Sequence, residues 1–273
     1  GALGALPGVQ VVGAHELLSA YPVADHDDPV SDELGHIPYG AVFSTAIGTV
    51  VARKLRALTV SAPKVIAVDC DNTLWNGVVG EDGVSGIGID EGRRAIQRFL
   101  IEQHEAGMLL CLVSKNNPAD VDEVFRSREM PLGRGHILAS RIGWGPKSES
   151  LRSLAGELGL GLDAFVFIDD SRLECAEIEA RCPEVLTLEL PADAGEAARF
   201  LRRVWAFDRW AVTAEDRRRT ELYRQKLEQE RSLNEAPSLA DFLAGLELSV
   251  RIEPATPEEI PRVSQLSFRT NQL

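Results

Sequence analysis

No apolar run in this sequence approaches the ~20 residues that a membrane-spanning helix requires. No basic segment leads into a short apolar stretch at the N-terminus, so a secretory leader is not expected either, and the expected location is cytoplasmic. Cysteine is sparse: Cys70, Cys111, Cys175 and Cys182 form no CxxC pair, which argues against a disulfide framework and a cysteine zinc site. Basic charge is in deficit. With 29 Lys and Arg against 42 Asp and Glu, the formal charge of −13 is unsuited to neutralising a nucleic-acid backbone. The chain also lacks an initiating methionine; it starts at Gly1 and ends Thr270-Asn271-Gln272-Leu273, which reads as a segment excised from a longer polypeptide or, at its start, as a tag scar. What is present is a 44% hydrophobic fraction over 273 residues, enough for one substantial core with a smaller appendage.

The pattern divides into three parts: a lead segment at residues 1–62, a catalytic core at 63–204 and a helical extension at 205–273. The lead is loose and acidic through 25–32, then helical from 41 to 58. In the core, apolar runs at 65–68, 108–113 and 164–168 have strand length and lack alternation, as expected when both faces of a strand are covered. Weaker strands are expected at 136–139 and 185–188. Between them, Ile96, Phe99 and Leu100, then Leu151, Leu154 and Leu158, recur at helical spacing, with Gly107 and Gly159 placed to stop the helices. This βα alternation predicts an α/β fold with a parallel sheet. In the extension, a charged helix is expected over 213–231, then 238–243, a strand at 247–252 and a helix after Pro257.

The chemistry concentrates in Asp69-Cys70-Asp71-Asn72-Thr73-Leu74, directly after the first strand, where open α/β sheets bind ligands. Two carboxylates two residues apart can share one hard cation while one attacks phosphorus and the other handles the leaving-group proton. Asp69 is the expected nucleophile and Asp71 the acid/base. Thr73 joins the phosphate-binding candidates, as does Ser114 with the backbone amides of Lys115 and Asn116 after the second core strand. Lys147, behind Gly145-Pro146, opens a helix whose N-terminus favours a phosphate. Asp169 and Asp170 end the strand at 164–168 and complete a magnesium site with Asp69 and the Asp71 backbone carbonyl. Singly, these are turn residues and a surface lysine; in this order, they form a set. A phosphoacceptor receiver domain places its acidic pair before the nucleophile strand, whereas here the pair comes last.

This ordered set resembles the haloacid-dehalogenase superfamily, and DCDNTLWNGVVGEDG at 69–83 resembles its FkbH-like branch. GHIPY at 35–39, SKNN at 114–117, PKSES at 146–150, FIDDS at 167–171 and TNQ at 270–272 resemble that branch too. The resemblance implies a Rossmannoid parallel sheet with helices on both faces. It further implies a bifunctional glyceryl transferase and phosphatase of polyketide assembly, which takes D-1,3-bisphosphoglycerate, removes its phosphates and leaves glyceryl on an acyl carrier protein. The family usually continues past TNQ into an acetyltransferase-like region, and this chain stops there.

The resemblance gives Cys70 a role as thiolate nucleophile on the acyl phosphate, passing a thioester to the carrier's phosphopantetheine thiol, with magnesium and Lys147 lowering its pKa. Strand alternation would instead point Cys70 away from Asp69 and Asp71. The short span at 76–90 allows a hairpin flap but no large cap domain, so the site is expected to be open to a protein-borne substrate or a phosphoprotein. Alternatives are a simple magnesium phosphatase without acyl transfer, and a docking module with an idle site. Softer features have ordinary readings beside functional ones: His36 as a surface-loop residue, Trp75 as packing or a site shield, and Arg202-Arg203 with Arg217-Arg218-Arg219 as a solvated face or an attractor for an acidic carrier protein.

Overall fold

Val65, Ile66, Ala67 and Val68 form strand β1, and all four side chains are fully buried because both faces of the strand are covered. The structure, a computed structural model, describes residue 9 and residues 11–235, with side chains as far as residue 232. Around β1 lie β2 (Leu109–Ser114), β3 (Ile137–Ile142), β4 (Phe165–Asp169) and β5 (Leu186–Glu189). They make a five-stranded sheet in the order β3-β2-β1-β4-β5, parallel at every pairing. The α/β expectation therefore holds.

Alternate residues of β1 feed two separate cores. Ile66 and Val68 join Ile96, Phe99 and Leu100 of helix α5 (Glu91–Glu105), Val121 and Val124 of α6 (Pro118–Ser127), and Ala197 and Leu201 of α9 (Ala194–Arg203). Val65 and Ala67 face Leu151, Leu154 and Leu158 of α7 (Lys147–Leu158) and Ile178 of α8 (Arg172–Arg181). Helices thus cover both faces of the sheet. The apolar positions spaced at three and four residues in α5 and α7 are the ones buried, as their periodicity requires. Gly159 caps α7 in the left-handed conformation (φ 64°), and Gly107 beyond α5 has φ 91° with the Asp216 backbone so close that a Cβ would collide with it.

The chain passes from β1 outward to β2 and β3, then returns to β4 on the other side of β1. This reversal leaves a crevice at the carboxyl ends of the central strands. The stretch between β1 and α5 differs from the expected hairpin flap. It holds a short helical segment, α4 (Val79–Gly86), kinked at Gly83, which leaves helical geometry (φ 71°), and closed by one antiparallel bridge between Asn76 and Gly88. Asp82 accepts from Val78 N–H at 2.8 Å, satisfying the start of this helix. No large cap domain interrupts the described core.

Before β1 stand α1 (Ala14–Ala20), α2 (Pro29–Gly35) and α3 (Ala41–Thr59). Arg53 of α3 is buried and clamps Asp208 through two hydrogen bonds of 2.6 and 2.7 Å while donating to Tyr21 at 2.9 Å. His36, exposed and left-handed (φ 55°), ends α2. After α9, α10 runs Ala214–Glu235. Described residues up to 227 form one compact unit, and those from 228 to 235 fall outside it. Arg202 pairs with Glu102, and Arg219 donates to the Gly107 carbonyl, so part of the arginine cluster is used internally. The elements expected at 238–243, 247–252 and after Pro257, and the TNQ string, lie outside the described residues. Among the described residues, no helix is long and apolar enough to cross a membrane.

Candidate active site

Asp69, Ser114 and Asp169 stand at the carboxyl ends of β1, β2 and β4, three adjacent strands, so the parallel register alone brings them together. With Asp71, Asn72, Lys115, Lys147, Asp170, Ser171 and Glu174 they line a cavity of about 190 Å³. Carboxylate oxygens of Asp69, Asp169 and Asp170 all lie within 4.8 Å of one another. Oxygen donors so grouped suit a hard divalent cation.

Lys147, at the first turn of α7, reaches into this cluster and is only 4% exposed. Its Nζ donates to Asp69 Oδ1 at 2.7 Å and Asp169 Oδ2 at 2.6 Å. Burial by itself would lower the ammonium's pKa, but attraction from Asp69 and Asp169 outweighs it and the net shift is upward. One lysine does not balance three carboxylates. Burial pushes Asp69 up to about 6, against the pull of Lys147 and with a further push from Asp169. Asp169 and Asp170 are also raised, each chiefly by burial. A cluster short of positive charge, with hard oxygen donors converging, is chemically fitted to a divalent cation.

Asp71 lies outside this trio. Its carboxylate accepts from the Trp75 indole N–H at 2.8 Å and Val79 N–H at 3.2 Å on Oδ1, and from Asn116 Nδ2 at 3.0 Å on Oδ2. A part for Asp71 in the metal site therefore rests on its backbone carbonyl alone. The same Asn116 amide reaches Ser114 Oγ at 3.1 Å, linking the end of β2 to Asp71. Thr73 is fully buried and its hydroxyl donates to Asp170 Oδ1 at 3.2 Å. The Lys115 ammonium pairs with Glu174 at 2.8 Å.

Cys70 is fully buried and belongs to the same apolar core as Ile66, Val68, Leu74 and Trp75, with its thiol beside Ser114. The alternation of β1 persists through this residue. Burial, then the nearby Asp69 charge, push its thiol pKa well up, and the Ser114 hydrogen bond and Lys147 do not offset them.

Several residues of the site carried no functional expectation. Asn72 holds the left-handed conformation (φ 53°) that turns the chain after Asp71, a role asparagine tolerates, and its Oδ1 accepts from Gly77 N–H at 2.9 Å. Ser171 caps α8, and its N–H donates to Asp169 Oδ1 at 2.8 Å. The signal was available there, since Ser171-Arg172-Leu173-Glu174 has the S-x-x-E form of a helix start. Arg93 and Gln97, one turn apart on α5, donate to the carbonyls of Thr73 at 3.3 Å and Leu74 at 2.7 Å. No local pattern announces that contact.

No protein-family model matches the chain, and no curated protein does. Among solved structures, the N-terminal part of the protein BF1531 from Bacteroides fragilis, containing a phosphatase domain complexed with Mg, is similar at 26% identity and a TM-score of 0.62. That likeness covers 72% of this chain and 55% of the other, so this chain spans little more than half the length of its relative. Two looser likenesses are to the haloacid-dehalogenase family enzyme bt-2542 from Bacteroides thetaiotaomicron (13% identity, TM-score 0.35, 48% of this chain, 95% of that one) and to the hypothetical protein XCC2798 from Xanthomonas campestris (17%, 0.37, 69% and 94%). At those scores neither bears on this protein. The BF1531 likeness places a sheet of this kind in a phosphatase-containing chain.

Proposed function

We propose that this protein is a magnesium-dependent phosphatase of the aspartate-nucleophile type. The observation that carries the reading is the convergence of Asp69, Asp169 and Asp170 within 4.8 Å at the ends of β1 and β4, with Lys147 bridging two of them. The likeness to a phosphatase-containing chain complexed with Mg supports it. Asp69, Asp169 and Asp170 would hold the ion, which when bound offsets the charge of the phosphoryl group.

Asp69 attacks phosphorus, and Lys147 on its Oδ1 fixes the rotation of the carboxylate. Ser114 Oγ and the N–H groups that follow it donate hydrogen bonds to the phosphoryl oxygens, where negative charge is greatest. Asp71 gives a proton to the leaving oxygen and later takes one from the water that hydrolyses the aspartyl phosphate. The idle docking module fits poorly with a complete acidic trio and a buried, doubly paired lysine.

The finer proposal is glyceryl transfer, in which D-1,3-bisphosphoglycerate supplies a glyceryl unit through a Cys70 thioester to an acyl carrier protein. The FkbH-like strings support it, and so does the absence of a large cap among the described residues, since a carrier-borne thiol needs an open approach. Against the thioester stands the full burial of Cys70 in the apolar core, which favours a phosphatase without acyl transfer.

Intact-protein mass spectrometry after incubation with D-1,3-bisphosphoglycerate and Mg²⁺ separates the two. A glyceryl or phosphoglyceryl adduct on the Cys70 peptide, absent in Cys70→Ala, supports transfer. Phosphate release without any adduct leaves the phosphatase alone. Continued release in Asp69→Asn overturns both.

A further inference from the structure

Trp75 is fully buried, packed edge-on against Phe125 with ring centroids 6.4 Å apart, yet its one polar atom is spent on Asp71 Oδ1 at 2.8 Å. Its backbone is equally constrained. The two carbonyls before it are held by Arg93 and Gln97 of α5, so the indole cannot drift without disturbing contacts built into the core. Val79 N–H, at the start of α4, donates to the same oxygen. Oδ1 thus faces two N–H donors from elements fixed by the fold. Among the described residues Oδ2 has one donor, the Asn116 amide, which is shared with Ser114 Oγ.

This asymmetry decides where Asp71 can carry a proton. An oxygen receiving two N–H donors has no acceptor to receive a proton's hydrogen bond, so the protonated acid must bear its hydrogen on Oδ2. Oδ2 is also the oxygen that can change partner, because phosphoryl oxygens arriving at Ser114 offer the Asn116 amide an alternative acceptor. We propose that Trp75 is a positioning residue: its indole N–H locks Asp71 Oδ1 so that Oδ2 alone delivers and receives the proton of the leaving group. The inference rests on the phosphatase reading above.

In the step concerned, an Asp69 oxygen bonds to phosphorus, the bond from phosphorus to the leaving oxygen breaks, and the hydrogen on Asp71 Oδ2 passes to that oxygen. Ionised Asp71 then takes a proton from the attacking water as the aspartyl phosphate is cleaved, freeing Asp69 and inorganic phosphate. Without the indole N–H, the Asp71 carboxyl is free to rotate and its proton is misdirected part of the time. A leaving group that departs unaided feels this less than one that needs the proton.

The test compares kcat/KM for phenyl phosphate with that for p-nitrophenyl phosphate, in Mg²⁺, for the full chain. Two variants remove the donor: Trp75→Phe, and replacement of Trp75 by 3-benzothienylalanine, which keeps the bicyclic shape and loses only the N–H. The ratio of phenyl to p-nitrophenyl turnover is expected to fall by about tenfold in both, the weight of one hydrogen bond to a charged group. In an Asp71→Asn background the second substitution should not lower that ratio further, because the proton donor is already gone. An unchanged ratio in the benzothienyl variant, with an active parent, overturns the inference and leaves the phosphatase standing. A fall of equal size in the Asp71→Asn background overturns it too, since Trp75 would then act on something other than Asp71. A parent that releases no phosphate from either ester overturns the phosphatase reading itself.

Discussion

Replacing Lys147 by methionine removes the ammonium paired with Asp69 and Asp169 while keeping most of the side chain's volume, so it isolates the charge. The lysine side chain is 5% exposed, and those of Asp69 and Asp169 are 7% and 1%, so water cannot take over the lost interaction. Breaking a buried pair by deleting one partner costs about 3–5 kcal/mol, or a Tm loss on the order of 6–20 °C for a chain of this size. Three raised carboxylates would then remain, with Asp69 and Asp169 deprived of their paired ammonium. A divalent cation binds the native cluster and not the unfolded chain, and at a hundredfold excess over its Kd it returns about 2.7 kcal/mol. Its affinity should rise once the competing lysine is gone. The assay is thermal unfolding followed by circular dichroism, in EDTA and in Mg²⁺, for the parent and Lys147→Met. The variant should be the less stable in EDTA and should gain the more from Mg²⁺. A loss under about 1 kcal/mol in EDTA, or an equal gain from Mg²⁺ in both proteins, refutes the picture of Lys147 as the stand-in counter-charge of a cation site.

Three other outcomes are expected. His104 is held below its ordinary pKa by burial and by the neighbouring His136, so the unfolded chain takes up the proton first. Stability is therefore lost as pH falls below about 6.5, and the stability difference between the parent and His104→Gln should shrink from pH 7.5 to 5.5; a constant difference in urea melts would contradict this. All four cysteines are buried and Cys111 and Cys175 are pushed up to about 12, so iodoacetamide at pH 8 should label none of them in the native protein while labelling all four after unfolding; rapid native labelling of Cys70 would show that it is reachable after all. Arg53→Met removes the bidentate hold on Asp208, with side-chain exposures of 10% and 20%, at a cost of about 1.5–3 kcal/mol; limited trypsinolysis should then cut before β1 first, and an unchanged cleavage pattern would mean that the lead segment is held by its apolar contacts alone.

The three central strands, β1, β2 and β4, were legible because each is a short apolar run covered on both faces, and burial of that kind leaves its mark in composition; β3 and β5, at the sheet's edges, are only partly buried and left a weaker mark. All five appear within a residue or two of their expected positions, except that β3 runs on to Ile142. The span at 76–90 was less legible. Its residues serve equally as a hairpin or a helical turn, and the outcome depends on Asp82 reaching Val78 N–H and on Gly83 adopting φ 71°. Trp75 was ambiguous for a related reason: a buried indole reads as packing until its N–H is seen to have a partner.

Local sequence determined which residues would end the strands, and so which carboxylates and which serine would meet, because a parallel sheet gathers the carboxyl ends of its strands at one edge. Periodicity likewise determined which helix faces would be buried. Tertiary structure alone decided the rest. Lys147 serves as an internal counter-charge, a role set by the depth to which α7 carries it. Cys70 faces the core because the pleat of β1 persists two residues beyond its last position, Val68. Asp71 is oriented by donors that arrive from Trp75, from α4 and from the end of β2. These are matters of direction and burial, which arise only when segments distant in the chain are packed against one another, and a linear pattern does not record them.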